Sequence, residues 1–475
     1  MRASNPELWH ELRGITGRNV SRALPSTASR SPPRVLARMH DNRRYVKLAS
    51  ITVGIAVATA VLPWPSLAEI VAPTASRGFL AIAPDGTPRV AFLSGRDLVL
   101  ARRASSTWTF AGAGRVPTGR VLIAGLVVDR NARASVLLES QNGSWLALAG
   151  RGAKLRVVAR PRKGASFGPA GLTLDATGRP AFAYALRLAS GKTYLRLVTT
   201  AARGRLCTRP ITKRGFPSSS VVPGAAPVLV RGRLHVVETY TSAAIDWQPQ
   251  PNGGWIGQYL FASRIGSPTG RVAAAASGDD LWSAWTQLSS DAISVLLTLS
   301  AATQETNVVV AHGIFVSLLV DGGRPEVGAY DWTLAGDSFV YAGVLADGSG
   351  SFSEVDGRLE GYASAPGGKR QLLLSTPSGL EWFEAPTRPS IRVLFSADAA
   401  GTLSGRIEGA SGGLVEVFRE LPSGARALAA RAEVAPDGSF SAKDVPPTSP
   451  TLYRAVYVDG ATGIPYASLL RTPVG

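Results

Sequence analysis

One phrase recurs seven times between Phe79 and Pro386: a short apolar strand, a tight turn, a second apolar strand, another turn and a third strand. The first turns fall at Gly86, Asn131, Gly178, Gly232, Gly278, Gly322 and Gly367, so the period holds near 45 residues through six steps. A unit of this size cannot bury its apolar faces alone, and successive units must therefore stack on one another. The 51 Gly and 32 Pro of a chain without collagen periodicity agree with many turns and many short strands.

The first repeat, AIAPDGTPRVAFLSGRDLVLA (81–101), aligns by its turns with the last, ASAPGGKRQLLLSTPSGLEWFEA (363–385). Pro-Asp-Gly at 84–86 and Asp-Gly-Gly at 321–323 supply the positive-φ positions that tight hairpins need. Near-continuous apolar second strands suit sheets covered on both faces. All-strand repeats of this length predict an all-β protein built as a seven-bladed β-propeller. A fourth, outer strand follows most repeats, as at Trp108–Ala111 and Arg156–Ala159. The seventh repeat ends after its third strand, so the stretch 69–75 is the expected donor of the missing one. That donation would close the ring and cover two open sheet edges.

Beyond Arg388 the pattern changes to seven short alternating segments: SIRVLF, GTLSGRI, GLVEVFRE, ALAARAEV, GSFSAK, LYRAVYV and YASLLR. Their spacing, near ten residues with Gly, Pro and Asp turns, predicts a small antiparallel β-sandwich. The expected organisation is a basic segment with a signal peptide or anchor (1–68), the propeller (69–386) and the sandwich (387–475). Pro386-Thr387-Arg388-Pro389 would be a short, stiff linker.

On these patterns the repeat region resembles the seven-bladed β-propellers of bacterial exported proteins, loosely of the neuraminidase-like shape class. The resemblance covers about two thirds of the chain and rests on period and pattern. The S-x-D-x-G-x-x-W box of sialidase propellers is absent from every repeat, and there is no WD or Kelch signature. The C-terminal segments resemble immunoglobulin-like or fibronectin III-like modules, with Leu452-Tyr453-Arg454-Ala455 similar to a late strand of those modules. That resemblance implies a spacer or adhesive role.

Leu48 to Leu62 runs without a charge for fifteen residues, after Arg43, Arg44 and Lys47 and before Pro63-Trp64-Pro65. This is the length of a signal-peptide core and is short for a membrane span. Ser66-Leu67-Ala68 places small residues where a signal peptidase reads, and translation from Met39 would give a conventional leader. The competing expectation is an uncleaved anchor with its basic tail inside. Either way the protein is expected to be secreted or held at the cell surface, touching membrane only if the segment stays uncleaved.

Of the formal charge of +18, residues 1–68 contribute +7, residues 391–475 nothing, and the repeats the remaining +11. The basic residues of the repeats are scattered and nearly all Arg, a pattern that gives no phosphate-tracking stripe and no nucleic-acid partner. Cys207 stands alone, which excludes an intramolecular disulfide and a Cys-based zinc site.

Signals for chemistry are sparse. G-x-S-x-G occurs at Gly164–Gly168 and Gly409–Gly413, neither placed between a strand and a helix as a nucleophile elbow requires. His235 sits in an alternating strand and His312 precedes a turn glycine, with no HExxH or close His pair. No catalytic residue, metal site or cofactor is expected. Glu238, Asp246, Asp279, Asp280 and Asp331 are the carboxylates from which a glycosidase-like pair would have to be drawn.

The fourth repeat departs from the economy of the others, with YTSAAIDWQPQPNGGW (240–255) between Thr239 and Ile256. This stretch is expected to be a long polar loop bearing Tyr240, Asp246, Trp247 and Trp255. Asp331 and Trp332 stand at the corresponding position of the sixth repeat, so the two loops would meet over the central channel. Aromatic faces beside carboxylates suit sugar rings or peptides. The expected function is non-catalytic recognition of an extracellular polysaccharide, peptide or envelope protein, with a sialidase-like hydrolase or lyase on the same face as the alternative.

Overall fold

The computed structural model describes residues 68–150, 153–217, 223–240, 243–262, 267–278, 280–288, 293–299, 305–308, 313–321, 323–332, 338–344, 350–355, 358–385, 391–410, 412–420, 426–445, 451–458, 460 and 465–468. The basic N-terminal segment, the apolar run, His312 and the Pro386–Pro389 linker lie outside them.

Strand β1 (Glu69–Ala72) precedes a sheet of β2 (Gly78–Ile82), β3 (Pro88–Ser94), β4 (Asp97–Ala104) and β5 (Thr107–Arg115). Next come β6 (Val121–Val128), β7 (Ala134–Ser140), β8 (Leu146–Gly150) and β9 (Ala153–Ala159). A six-stranded sheet holds β10 (Ser166–Phe167), β11 (Gly171–Leu174), β12 (Pro180–Arg187), β13 (Lys192–Thr200), β14 (Leu206–Pro210) and β15 (Phe216–Pro217). It is followed by β16 (Ala225–Val230), β17 (Arg233–Tyr240), β18 (Ala243–Pro249) and β19 (Trp255–Ala262). Then come β20 (Ser267–Ser277), β21 (Asp280–Leu288), β22 (Ile293–Leu299) and β23 (Glu305–Val308). Strands β24 (Gly313–Asp321), β25 (Arg324–Trp332), β26 (Ser338–Val344) and β27 (Gly350–Val355) precede β28 (Arg358–Ser364), β29 (Arg370–Thr376) and β30 (Gly379–Ala385). All pairings within these sheets are antiparallel, and they join sequence neighbours except where β10 pairs with β12, β15 with β13 and β1 with β30.

First strands touch first strands in order: β2 meets β6, then β11, β16, β20, β24 and β28, and β28 returns to β2. The sheets therefore stand around a common axis with their first strands innermost, which is the arrangement of a β-propeller. Alternation along a strand makes each sheet serve two interfaces. Val90 and Phe92 of β3 join a core with Val71, Leu373, Leu380 and Trp382 of the last sheet. Ala91 between them joins Ile123, Val136 and Leu138 of the next sheet.

Turn chemistry follows the sequence closely. Asp175 accepts backbone N–H bonds from Thr177 and Arg179 at 2.8 and 2.9 Å, and Asp129 accepts them from Asn131 and Arg133 at 2.9 and 3.0 Å. Gly86 and Gly178 take the positive φ that the hairpins demand. One expected position moves by one residue, the positive φ falling on Ala132 rather than Asn131; Gly323 of the Asp-Gly-Gly turn takes a positive φ, and Gly322 lies outside the described residues.

The expected closure is present. Strand β1 pairs antiparallel with β30, with Glu69 opposite Trp382 and Ile70 opposite Glu381, and so completes the sheet of β28–β30. Glu69 then reaches the neighbouring sheet, where Arg103 donates to both its oxygens at 2.8 and 2.6 Å and Trp108 Nε1 donates at 3.1 Å. The hydrogen bonds from Arg103 hold the Glu69 carboxyl below its ordinary range. A second tie joins the β24–β27 and β28–β30 sheets: Arg370 donates to Glu326 at 2.8 and 2.6 Å and to Asp321 at 2.8 Å, while the Tyr362 hydroxyl donates to Glu326 at 2.9 Å. Burial, reinforced by the Glu326 carboxylate, pushes the Tyr362 hydroxyl well above its usual range.

The C-terminal segments form β31 (Arg392–Ala397), β32 (Thr402–Glu408), β33 (Leu414–Glu420), β34 (Arg426–Glu433), β35 (Ser439–Lys443), β36 (Leu452–Val458) and β37 (Pro465–Ala467). One sheet runs β31-β32-β35 and the other β34-β33-β36-β37, and residues of both, including Phe395, Leu403, Ile407, Val415, Val417 and Tyr453, share one core. The second sheet does not end there. Its β37 also pairs with β27, Gly350 opposite Ala467 and Ser351 opposite Tyr466, so the C-terminal sheet continues a sheet of the ring.

Closure by β1 gives a paired prediction. Val71 is 2 % exposed and Ile70 on the same strand is 54 % exposed. Val71→Asp is expected to destabilise by about 3–5 kcal/mol, because it strands a carboxylate in the closing core, whereas Ile70→Asp stays within about 0.5 kcal/mol. Chemical denaturation of the two variants checks this, and equal midpoints would show that β1 does not seal the ring.

Candidate functional site

The stretch expected to be a long loop in the fourth repeat is instead strand, turn and strand. Residues Ala243–Pro249 form β18, Gln250–Gly254 its hairpin turn, and Trp255 opens β19. The polar residues that suggested a loop are accommodated because they pair with one another across the sheet. Tyr240 ends β17 opposite Ala243, and Trp255 faces Pro249 at the other end of β18. A strand of that length separates them by about 20 Å, so the four residues do not share one face of the ring.

Register assigns each side chain to a face. Asp246 lies opposite Val237, and Trp247 opposite Val236. Val237 packs with Val272, Leu281 and Trp285 of the following sheet, whereas Val236 packs with Ala183, Leu195 and Leu197 of the preceding one, where Trp247 and Trp255 join it. Two polar networks follow, back to back. Toward the following sheet, both oxygens of buried Asp246 lie 3.1 Å from His235 Nδ1, and Gln248 Nε2 donates to Asp246 and to Gln258, each at 2.9 Å. Toward the preceding sheet, Trp247 Nε1 donates to Glu238 Oε2 at 2.8 Å.

Glu238 is 0 % exposed, and among the described residues its second oxygen, Oε1, has no hydrogen-bond partner. Burial pushes its carboxyl up to about 8, against the opposing pull of the Trp247 N–H. At neutral pH it is therefore largely a neutral acid. Glu238 and Asp246, two of the candidate carboxylates, sit on opposite faces of one sheet and cannot flank a common substrate. Asp280 begins β21 beside the first turn of its sheet, at the far end from the last residues of the second strands, and Asp279 lies outside the described residues. Asp331 and Trp332 end β25, opposite Gly313 and Phe339 in the case of Asp331. They thus finish a second strand, as Tyr240 does, and the side chains of all three lie outside the described residues. Ser166 of the first G-x-S-x-G begins the two-residue strand β10, with no helix after it.

A different pair stands at the axis. Glu139, next to last in β7, accepts the Ala170 backbone N–H at 2.9 Å and lies 3.2 Å from Nη2 of Arg271 in β20. Two whole sheets separate these strands along the ring in one direction and more in the other, so the contact is made across the space that the first strands enclose. Arg271 sits where the register of β20 slips between Thr269 and Val272. Glu360 occupies the matching slip of β28 between Leu359 and Gly361, accepting from Gly78 N at 3.4 Å and from Arg358 Nε at 2.6 Å. Sequence reasoning missed this pair because its members are 132 positions apart. The only signal was a lone Arg entering the small-residue run Val272–Ser277.

No family model matches the chain, and no curated protein matches it. Among solved structures it is similar to the WD40 β-propeller domain of Doa1, at a TM-score of 0.41 and 9 % identity over 66 % of this chain and 94 % of that one. A Hadza microbial sialidase gives a TM-score of 0.39 and 10 % identity over 66 % and 65 %. A six-bladed β-propeller lectin from Aleuria aurantia gives 0.33 and 13 % over 66 % and 96 %. At these scores the propeller assignment rests on this chain's own strand order and ring of contacts.

Glu238 sets a pH dependence. Below the ordinary carboxyl value of 4.5 both folded and unfolded chains hold its proton; between 4.5 and about 8 only the folded chain does. Its contribution to stability therefore falls as pH rises through that window and levels off above it. Glu238→Gln, which cannot ionise, is expected to remove this loss. Denaturation midpoints of both proteins from pH 4 to 9 check it: their difference should drift in favour of the variant up to pH 8, and a constant difference would show Glu238 already ionised.

Proposed function

We propose that the chain is an exported recognition protein without catalytic activity, secreted or displayed at the cell surface. In this reading residues 1–68 are a basic leader with a signal peptide or anchor, 69–386 a seven-bladed β-propeller, and 387–475 an immunoglobulin-like β-sandwich. The unbroken circuit of first-strand contacts supports the blade number, and the two sheets sharing one core support the sandwich. The ligand is an extracellular polysaccharide, a peptide or an envelope protein, taken on the face where the second strands end. Tyr240, Asp331 and Trp332 stand at that end, while Asp246, Trp247 and Trp255 hold the β16–β19 sheet together beneath it.

The observation that carries the non-catalytic reading is the opposition of Glu238 and Asp246. The two buried carboxyl groups of the sheet that bears the aromatic residues face different neighbours and are each hydrogen-bonded internally. The usual chemistry of glycoside hydrolysis takes two carboxyl groups converging on one bond, and these two do not converge.

Retention of the protein on insoluble cell-envelope polymers, compared with a Tyr240→Ala/Trp332→Ala variant, tests the reading. Loss of an aromatic anchor pair is expected to weaken retention about tenfold or more, with Trp255→Ala behaving as the parent. Equal retention by the double variant would remove the proposed face. Polymer turnover abolished by Asp331→Asn would replace the reading with the hydrolase or lyase alternative.

A further inference from the structure

We propose that the Glu139–Arg271 pair at the mouth of the axial opening is a binding site for adjacent hydroxyl groups of a neutral sugar. The inference rests on the recognition reading above and names the chemistry of one contact within it. Its first support is position. Both residues lie toward the end at which second strands finish, and each is placed by the backbone: Glu139 as the next-to-last residue of β7, Arg271 by the register slip of β20. Nothing in the packing of the sheets needs the contact, since the two strands belong to sheets that do not adjoin.

The second support is valence. Among the described residues Arg271 spends one N–H of its planar fork, on Glu139, and its side chain is 32 % exposed. Its remaining donors are available to a ligand. Glu139 is 8 % exposed and fixed from behind by the Ala170 N–H on its other oxygen, Oε2. The oxygen beside Arg271, Oε1, keeps lone-pair capacity after accepting that one bond.

A fixed acceptor next to an under-used donor, 3.2 Å apart, matches a vicinal diol. One hydroxyl donates to the carboxylate while its neighbour accepts from the guanidinium, and both bonds are charge-assisted. The pair as a unit carries no net charge. A ligand carboxylate would have to displace Glu139 from Arg271 and would meet its repulsion, so a neutral ligand is favoured over an acidic one.

Isothermal titration of the full chain with methyl glycosides of glucose, galactose and mannose, and separately with glucuronic acid, tests this. At least one neutral glycoside is expected to bind, and Arg271→Gln and Glu139→Gln should each weaken it about tenfold or more. Arg271→Lys keeps the charge but loses the planar fork and should also weaken binding. Circular dichroism melting identifies any variant that fails to fold, and the remaining variants then decide. Binding unchanged in the folded variants, or no neutral glycoside bound by the parent, overturns the site. Glucuronic acid bound in preference, and more tightly by Glu139→Gln, overturns it in favour of an anion site. If envelope polymers are retained while no glycoside binds, only this inference fails and the recognition reading stands.

Discussion

Pairing of β1 with β30 is the interaction on which the ring depends. A chain of stacked sheets has two free ends, each exposing an apolar face and an edge of unpaired backbone groups. Here the first described strand fills the outer position of the last sheet, and the join is then secured from the adjoining sheet. Arg103 grips Glu69 with two hydrogen bonds and lies 4.6 Å from the centre of the Trp382 ring, while Trp108 meets Trp382 edge-on at 6.1 Å. Strand pairing, a two-pronged ion pair and an aromatic contact converge at one seam, so residues from both ends of the propeller must be in place together. The ring closes cooperatively or remains open at an edge.

Closure around an axis sets the geometry of the innermost strands. They approach one another closely, and Gly125 and Gly361 are among the positions where only glycine fits. A Cβ on Gly125 would come within 2.8 Å of Leu172 Cβ, and one on Gly361 within 2.6 Å of Leu80 Cβ. Each of these glycines directly follows a register slip in its strand, at Ala124 and Glu360. β20 slips in the same region, at Gly270 and Arg271, and there the register resumes with Val272. The extra residues relieve the crowding by bulging the strand. The same steric demand that narrows the ring therefore also delivers charged side chains to its axis.

The architecture was legible in the sequence because it is local. Period-2 apolar runs, Asp-capped turns such as Asp175-Ala-Thr-Gly178, and a last repeat one strand short are visible without knowing any long-range contact. Even the closing strand follows from counting. The site was less legible, for a physical reason. Asp246, Gln248 and Trp247 read as loop residues because polarity inside a strand normally signals exposure, yet register sets Asp246 on the face of His235 and Trp247 on that of Glu238, where each pair meets diagonally across the two strands. A hydrogen bond between neighbouring strands cancels the cost that the sequence pattern implies. Glu139 and Arg271 belong to the opposite case: each is unremarkable in its own repeat, and only the curvature of the ring brings them together.

The fate of the carboxylates separates scaffold from site. Glu326 is fully buried and answered by both prongs of Arg370 and by the Tyr362 hydroxyl, so its charge is matched where water cannot reach it. Glu238 is equally buried but has only an indole N–H, too little to hold a charge, and it keeps its proton instead. Both solutions use up the group inside the protein. Glu139 differs from them in its partner rather than in its own burial: the cation it meets remains one-third exposed with donors to spare. A buried carboxylate tied to an open guanidinium is stable without a ligand and still able to take one, a combination that the other two sites lack. Among these three carboxylates, hydrogen-bonding capacity is left unspent at the axis, where the geometry of the ring holds Glu139 against a part-exposed cation, and not within the sheets, where packing has already consumed it.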